Sequence, residues 1–229
     1  MGMIENKYCV VIPAYNAAAN INSVISSIQS YYPQLHIIVI DDGSIDDTVL
    51  VVSKYPSISI CHHAVNKGKG AAIKTGIEKA RQERFNYAVF LDADMQHAPG
   101  KIGDFIKIRE QYDLDLVLGK RSFLRTSMPF HRILSNSITS FLISLRIGKR
   151  VHDSQCGYRL INLSKNSLDR FVENRFQFES EFLIKMIYVG IKYSEVSIPT
   201  IYSKSGSYIS NIMDTIKFIK LYLSSFFWF

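Results

Sequence analysis

Asp92 and Asp94 stand one residue apart in "VFLDADMQHAPG" (89–100), directly behind an apolar run, and Gln96 follows. Carboxylates at i and i+2 with an amide oxygen at i+4 are hard oxygen donors. That set suits Mg2+ or Mn2+ sharing its shell with substrate phosphates. Two carboxylates held this close repel unless a cation lies between them; a solvated turn is the other reading of the same residues. Two more polar clusters end apolar runs: "PAYN" (13–16) and "DDGSIDDT" (41–48). Asp41 and Asp42 can accept hydrogen bonds from a base or ribose, and Gly43 lets the backbone turn close to a ligand. Helix-capping turns would look the same. "NKGKG" (66–70) fits a phosphate-binding turn made of backbone N–H groups and a positive helix end. It is neither a P-loop nor a dinucleotide fingerprint, since GxxxxGK[ST] and GxGxxG are missing.

These clusters must be positioned by the elements between them. Strands are predicted over 8–15, 36–42, 57–63, 87–94 and 114–119. Helices are predicted over 17–31, 46–55 with Asp46 as N-cap, 68–82 and 102–112. Strands alternating with helices imply βαβ units and a parallel sheet, with ligands beyond the carboxyl ends of the strands. After about residue 120 the pattern shifts to a helix over 131–146, a strand over 156–162, a helix over 179–190 and a strand over 191–199.

The 229 residues, 47% hydrophobic and 21% charged, exclude a disordered tail and suffice for a core without staples. Three scattered cysteines, Cys9, Cys61 and Cys156, read as small core residues in a reducing compartment. No secretory signal, myristoylation site or membrane-spanning run is expected. The net charge of +7 suggests polyanionic partners or simply a basic solvated surface. His62 and His63 are adjacent, so on a strand their rings point to opposite faces and would not share a metal. His97 is read as a metal ligand, a nucleotide contact or an ordinary loop histidine.

The ordered set "VVIPAYN", "VIDDGSIDDT", "NKGKG", "FLDADMQH", "GKR" and "DSQCGYRL" resembles family-2 glycosyltransferases of the GT-A fold, most of all the dolichyl- or undecaprenyl-phosphate mannose or glucose synthase type. The likeness spans roughly residues 7–205. It implies an α/β fold with a Rossmann-like, mostly parallel sheet flanked by helices. A catalytic domain over 1–205 would comprise a nucleotide-binding half (1–119) and an acceptor-side half (120–205), followed by an amphipathic tail (206–229). The resemblance assigns Pro13, Tyr15, Asn16 and Asp42 to base and ribose, and Lys69 with Gly68 to the nucleotide. Asp92, Asp94 and Gln96 would hold the divalent metal, with Asp92 or Ala93 near the ribose. Arg121 and Arg132 would face phosphate. Asn136 stands where some members place a serine, Asp153 and Arg159 belong to an acceptor-side motif, and Glu179 and Glu181 to a later family pattern.

The implied reaction is inverting transfer of a hexose from a GDP- or UDP-sugar, with Mg2+ or Mn2+ and arginines stabilising the leaving diphosphate. A polyprenyl phosphate acceptor, mostly dianionic at neutral pH, needs cations to position it and no general base. Lys120, Arg121, Arg132 and Arg159 are the candidates. A glycan hydroxyl acceptor would need a base, and Asp153 is the candidate. Residues 209–229, ending "SFFWF", are expected as an interfacial helix, a helix packed on the domain, or an oligomer contact. The expected location is the cytoplasmic face of a membrane, peripherally bound. A nucleotidyltransferase and a nucleic-acid-binding protein are the more distant alternatives; the acidic strand ends speak against the latter, and no nucleic-acid partner is expected.

Overall fold

A computed structural model describes residues 7–122, 128–165, 170–201 and 211–228. Seven strands form one sheet: β1 (Tyr8–Ala14), β2 (His36–Asp41), β3 (Ser59–His62), β4 (Tyr87–Phe90), β5 (Leu116–Arg121), β6 (Arg159–Asn162) and β7 (Tyr193–Ile198). Their order is β3-β2-β1-β4-β6-β5-β7. Only β6 runs antiparallel to its neighbours. Seven helices accompany them: α1 (Ala18–Tyr31), α2 (Thr48–Val52), α3 (Lys69–Gln82), α4 (Ile102–Tyr112), α5 (Phe130–Ile147), α6 (Gln177–Tyr188) and α7 (Asn211–Ser224).

The strands are apolar at successive positions because both faces of the sheet are covered. On one face Val10, Ile12, Ile37 and Val39 pack with Ile21 and Ile25 of α1 and Phe105 of α4. On the other Cys9, Val11, Ile38 and Ile40 pack with Ile73 and Ile77 of α3 and Phe178 and Phe182 of α6. A Cβ on Gly76 would stand 2.5 Å from Val11 Cγ1, so the missing side chain lets α3 lie close on β1.

Two expectations are corrected. The strand predicted over 87–94 ends at Phe90, because beyond it the Asp92 N–H turns to the His97 ring and Met95 takes a left-handed φ of +62°. The helix predicted over 46–55 is only Thr48–Val52. Asp46 caps nothing in the usual position: it accepts from the Thr48 N–H at 3.0 Å and from the Ala18 N–H at 3.0 Å, tying the starts of α1 and α2 together. The boundary expected at 119/120 falls within β5, so the sheet runs through it; that at 205/206 lies outside the described residues.

Parallel register brings the carboxyl ends of β1, β2 and β3 into line, with Ala14 beside Asp41 and Asp41 beside His62. Because β6 is reversed, its first residue, Arg159, pairs with Phe90 and Leu118 and so starts from the same edge.

Candidate active site

Asp92 leaves β4 at this edge, and its carboxylate meets Lys69 Nζ at 2.7 and 2.9 Å. Lys69 opens α3, where Gly68 with φ +100° precedes it. The same ammonium is 2.9 Å from Glu179 Oε1 in the first turn of α6. Burial favours the neutral amine, but Asp92 and Glu179 outweigh it and raise the Lys69 pKa. Burial likewise works to raise Asp92, yet Lys69, helped by His97 and Arg159, brings it down to about 2. Gly157 seals the cluster: a Cβ there would lie 2.6 Å from Asp92 Oδ2 and 2.9 Å from Lys69 Nζ.

His97 is buried, accepts the Asp92 N–H on Nδ1 at 3.1 Å and stacks on Tyr158 at 5.1 Å between centroids. Burial, against the opposing pull of Asp92, lowers its pKa to about 4. The ring is therefore neutral near pH 7, and with Nδ1 accepting, its proton sits on Nε2, 3.9 Å from Cys156 Sγ.

Asp94 is in a different state. Its Oδ1 accepts the Gln96 N–H at 2.9 Å, and it makes no ion pair among the described residues. Burial, then the negative charge of Asp92, raises its pKa. Such a carboxylate is under electrostatic pressure to gain a cation. Gln96 is half-buried alongside, whereas the Ala93 side chain is buried in the core and leaves only its backbone for a ligand.

Several expected nucleotide residues are engaged within the chain. Asn16, at φ +49°, donates its N–H to Ser44 Oγ at 2.9 Å and accepts the Ile45 N–H on Oδ1 at 2.9 Å, lacing the loop after β1 to the loop after β2. Asp42 is buried: Oδ1 meets His63 Nδ1 at 2.7 Å and accepts the Lys67 N–H at 3.0 Å, while Oδ2 accepts the Gly68 N–H at 2.8 Å. Asp42 thus holds the "NKGKG" turn in shape. Pro13 and Tyr15 are half-buried at the end of β1.

On the far side Arg121, the last residue of β5, donates from Nε and Nη2 to the two oxygens of Asp153 at 2.7 and 2.9 Å. Asp153 is 3% exposed. Burial opposes the Arg121 charge, but Asp153 holds its pKa above the ordinary value. Lys120 is half-buried at the same strand end, and Arg132 half-buried in the first turn of α5. Arg159, expected on the acceptor side, is 2% exposed, donates to the Cys156 carbonyl at 2.8 Å and lies 3.6 Å from Glu179.

Two pairings escaped the sequence. Glu179 completes the Lys69 cluster, and no local spacing connects the two. His62 Nδ1 meets Asp41 Oδ2 at 2.6 Å while His63 meets Asp42, so the two adjacent rings serve two adjacent aspartates across β2 and β3. The alternation of "DD" and "HH" at two predicted strand ends was the available signal.

The family model described as glycosyl transferase family 2 matches residues 9–167. The chain belongs to glycosyl transferase family 2. A UDP-N-acetylglucosamine–dolichyl-phosphate N-acetylglucosaminyltransferase of Methanococcus voltae is similar, 31% identical over 88% of this chain and 88% of that one. A polyprenol monophosphomannose synthase of Mycolicibacterium smegmatis is 26% identical over 82% of this chain and 75% of its own. Among solved structures, glucosyl-3-phosphoglycerate synthase from Mycobacterium tuberculosis in complex with Mn2+, UDP and phosphoglyceric acid is similar in fold. Its TM-score is 0.72 at 19% identity, covering 96% of this chain and 77% of that one. The family-2 assignment makes the protein a glycosyltransferase and its mostly parallel sheet a GT-A type fold. The nucleotidyltransferase alternative gives way to it.

Proposed function

We propose that this glycosyltransferase moves a hexose from a GDP- or UDP-sugar to a polyprenyl phosphate with inversion at the anomeric carbon. The observation that carries the choice of acceptor is the state of Asp153. Both its oxygens already accept from the Arg121 guanidinium, and it is buried. A hydroxyl nucleophile needs a carboxylate free to take its proton. A phosphate monoester, dianionic above about pH 6, needs none. The names of the relatives from Methanococcus voltae and Mycolicibacterium smegmatis support the same acceptor class.

The donor's diphosphate falls to the end of β4. Asp94, with Gln96 and Asp92 beside it, would hold Mg2+ or Mn2+. The fit rests on the oxygen donor set and on the raised pKa of Asp94, which a cation relieves. One or two carboxylates suffice when phosphates complete the shell, in keeping with no cluster of three His, Cys, Asp or Glu ligands among the described residues. When bound, the ion would neutralise charge growing on the departing diphosphate. The Lys69 ammonium balances Asp92 and Glu179, so the site does not concentrate three bare carboxylates where a diphosphate must bind. Lys120 and Arg132 place positive charge on the acceptor side, with Arg121 beside them holding Asp153. There a phosphate oxygen bonds to the anomeric carbon as the carbon–oxygen bond to the diphosphate breaks, and the nucleoside diphosphate departs. A lipid acceptor places the protein peripherally at the cytoplasmic face of a membrane, with the 206–229 tail at its surface. No described helix is long and apolar enough to cross one.

Incubation with labelled GDP- and UDP-sugars, Mn2+ and polyprenyl phosphate is expected to give an organic-soluble product labile to mild acid. Its kcat/KM is expected to fall tenfold per pH unit below about pH 6, following the acceptor's own ionisation. Label recovered only on a glycan hydroxyl would refute the acceptor.

A further inference from the structure

The sequence leaves three roles open for His97: metal ligand, nucleotide contact or ordinary loop histidine. Its surroundings speak against the first two. The ring is 4% exposed. Nδ1 accepts the Asp92 N–H at 3.1 Å, and Nε2 faces Cys156 Sγ at 3.9 Å. A lone pair committed to a backbone N–H is not free for a metal ion.

The same hydrogen bond closes the loop 92–97. Leu91 still follows the sheet, its N–H bonded to the Val11 carbonyl at 3.3 Å. One residue on, the Asp92 N–H leaves the sheet for a side chain. Within the loop Ala93 is buried in the core, the Gln96 N–H donates to Asp94 Oδ1 at 2.9 Å, and Met95 takes φ +62°. A left-handed methionine costs free energy and persists only where its surroundings impose it. Asp94 and Gln96, two of the three expected metal ligands, stand inside this strained turn.

What holds the ring comes from a segment distant in sequence, "CGY" (156–158). Tyr158 is fully buried. Its ring stacks on His97 at 5.1 Å and on Phe105 of α4 at 4.4 Å between centroids, and its hydroxyl donates to the Ala98 carbonyl at 3.2 Å. Cys156 meets Nε2, and Gly157 closes over Asp92. Three consecutive residues just before β6 thus form a mould for the loop, and His97 passes its shape to the backbone of Asp92.

We propose that His97 is a positioning residue: through the hydrogen bond it accepts from Asp92, it sets the 92–97 turn that presents Asp94 and Gln96 to a divalent ion. The setting of the turn stands on the geometry alone; its use in holding metal rests on the function proposed above.

Two substitutions separate the acceptor from the ring. His97→Asn keeps an acceptor, since Oδ1 replaces Nδ1 the same number of bonds from the backbone, and loses the stack on Tyr158. His97→Phe keeps the stack and loses the acceptor. Mn2+ affinity of the full chain is measured with UDP and, separately, with GDP, from the electron paramagnetic resonance signal of free Mn2+. It is expected to fall about tenfold or more in His97→Phe and to stay within about twofold of wild type in His97→Asn. Amide exchange at Asp92, followed by NMR without metal or nucleotide, is expected to be slow in wild type and His97→Asn and faster in His97→Phe. A role in packing alone predicts that His97→Asn suffers more than His97→Phe. That order, equal losses, or wild-type behaviour by both would overturn the proposal. Should His97→Phe not fold, the 15N shifts of His97 in wild type decide: a bare Nδ1 with a protonated Nε2 supports it, and a protonated Nδ1 overturns it. Amide exchange in the expected order, with Mn2+ held as tightly by Asp94→Asn as by wild type, would support the turn and refute the metal site instead.

Discussion

Lys69 Nζ is the point at which the end of β4 and the starts of α3 and α6 meet, through Asp92 and Glu179. Its ammonium lets two carboxylates sit close together in a half-buried place, and the neighbouring backbone must come near enough to close over them. A Cβ at 157 would press on the tips of both the Asp92 and Lys69 side chains. Gly157→Ala is expected to push the Asp92 and Lys69 tips out of register and weaken nucleotide-sugar binding, with the urea midpoint little changed. The chemistry of Asp92 and Asp94 was legible from spacing alone. What spacing could not show is that the two differ: one carries a resident ammonium and a pKa of about 2, while the other is pushed upward with no ion pair among the described residues. That division depends on Glu179 and on the His97 ring, which arrive from elsewhere in the fold.

Among the elements, the strand–helix alternation of the first half predicted β1 to β5 and α1, α3 and α4, because apolar runs of strand length and helical spacing are local signals. The misread boundaries have local tertiary causes. β4 stops at Phe90 because a histidine side chain takes the next free N–H, and α2 is short although its sequence looks helical to Tyr55, where Pro56 follows. The reversal of β6 was not legible: four residues, Arg159–Asn162, carry no mark of direction. Yet that reversal is what starts the "CGYR" segment at the same edge as the aspartates. The loop-to-loop lacing belongs to this scale as well. Asp42→Asn weakens three acceptor bonds, to His63, Lys67 and Gly68, and is expected to cost about 1–3 kcal/mol. Faster amide exchange confined to the start of α3 would check it.

At the scale of the molecule, a single sheet brings Asp92, Lys120 and Arg121 to one edge, and α5 and α7 expose apolar side chains. On the acceptor proposed above, a water-soluble nucleotide sugar and a lipid phosphate would meet at that edge. Lys217 and Lys220 of α7 are exposed, while its one acid, Asp214, accepts from Gln177. The central claim is that Asp94 anchors a divalent ion which in turn holds the donor's diphosphate. Calorimetric titration of GDP and UDP into wild type and Asp94→Asn, with and without Mn2+, tests it most directly. The account predicts that Mn2+ tightens binding of the accepted nucleotide about tenfold or more in wild type and has no such effect in Asp94→Asn. Equal enhancement by Mn2+ in both proteins would contradict it.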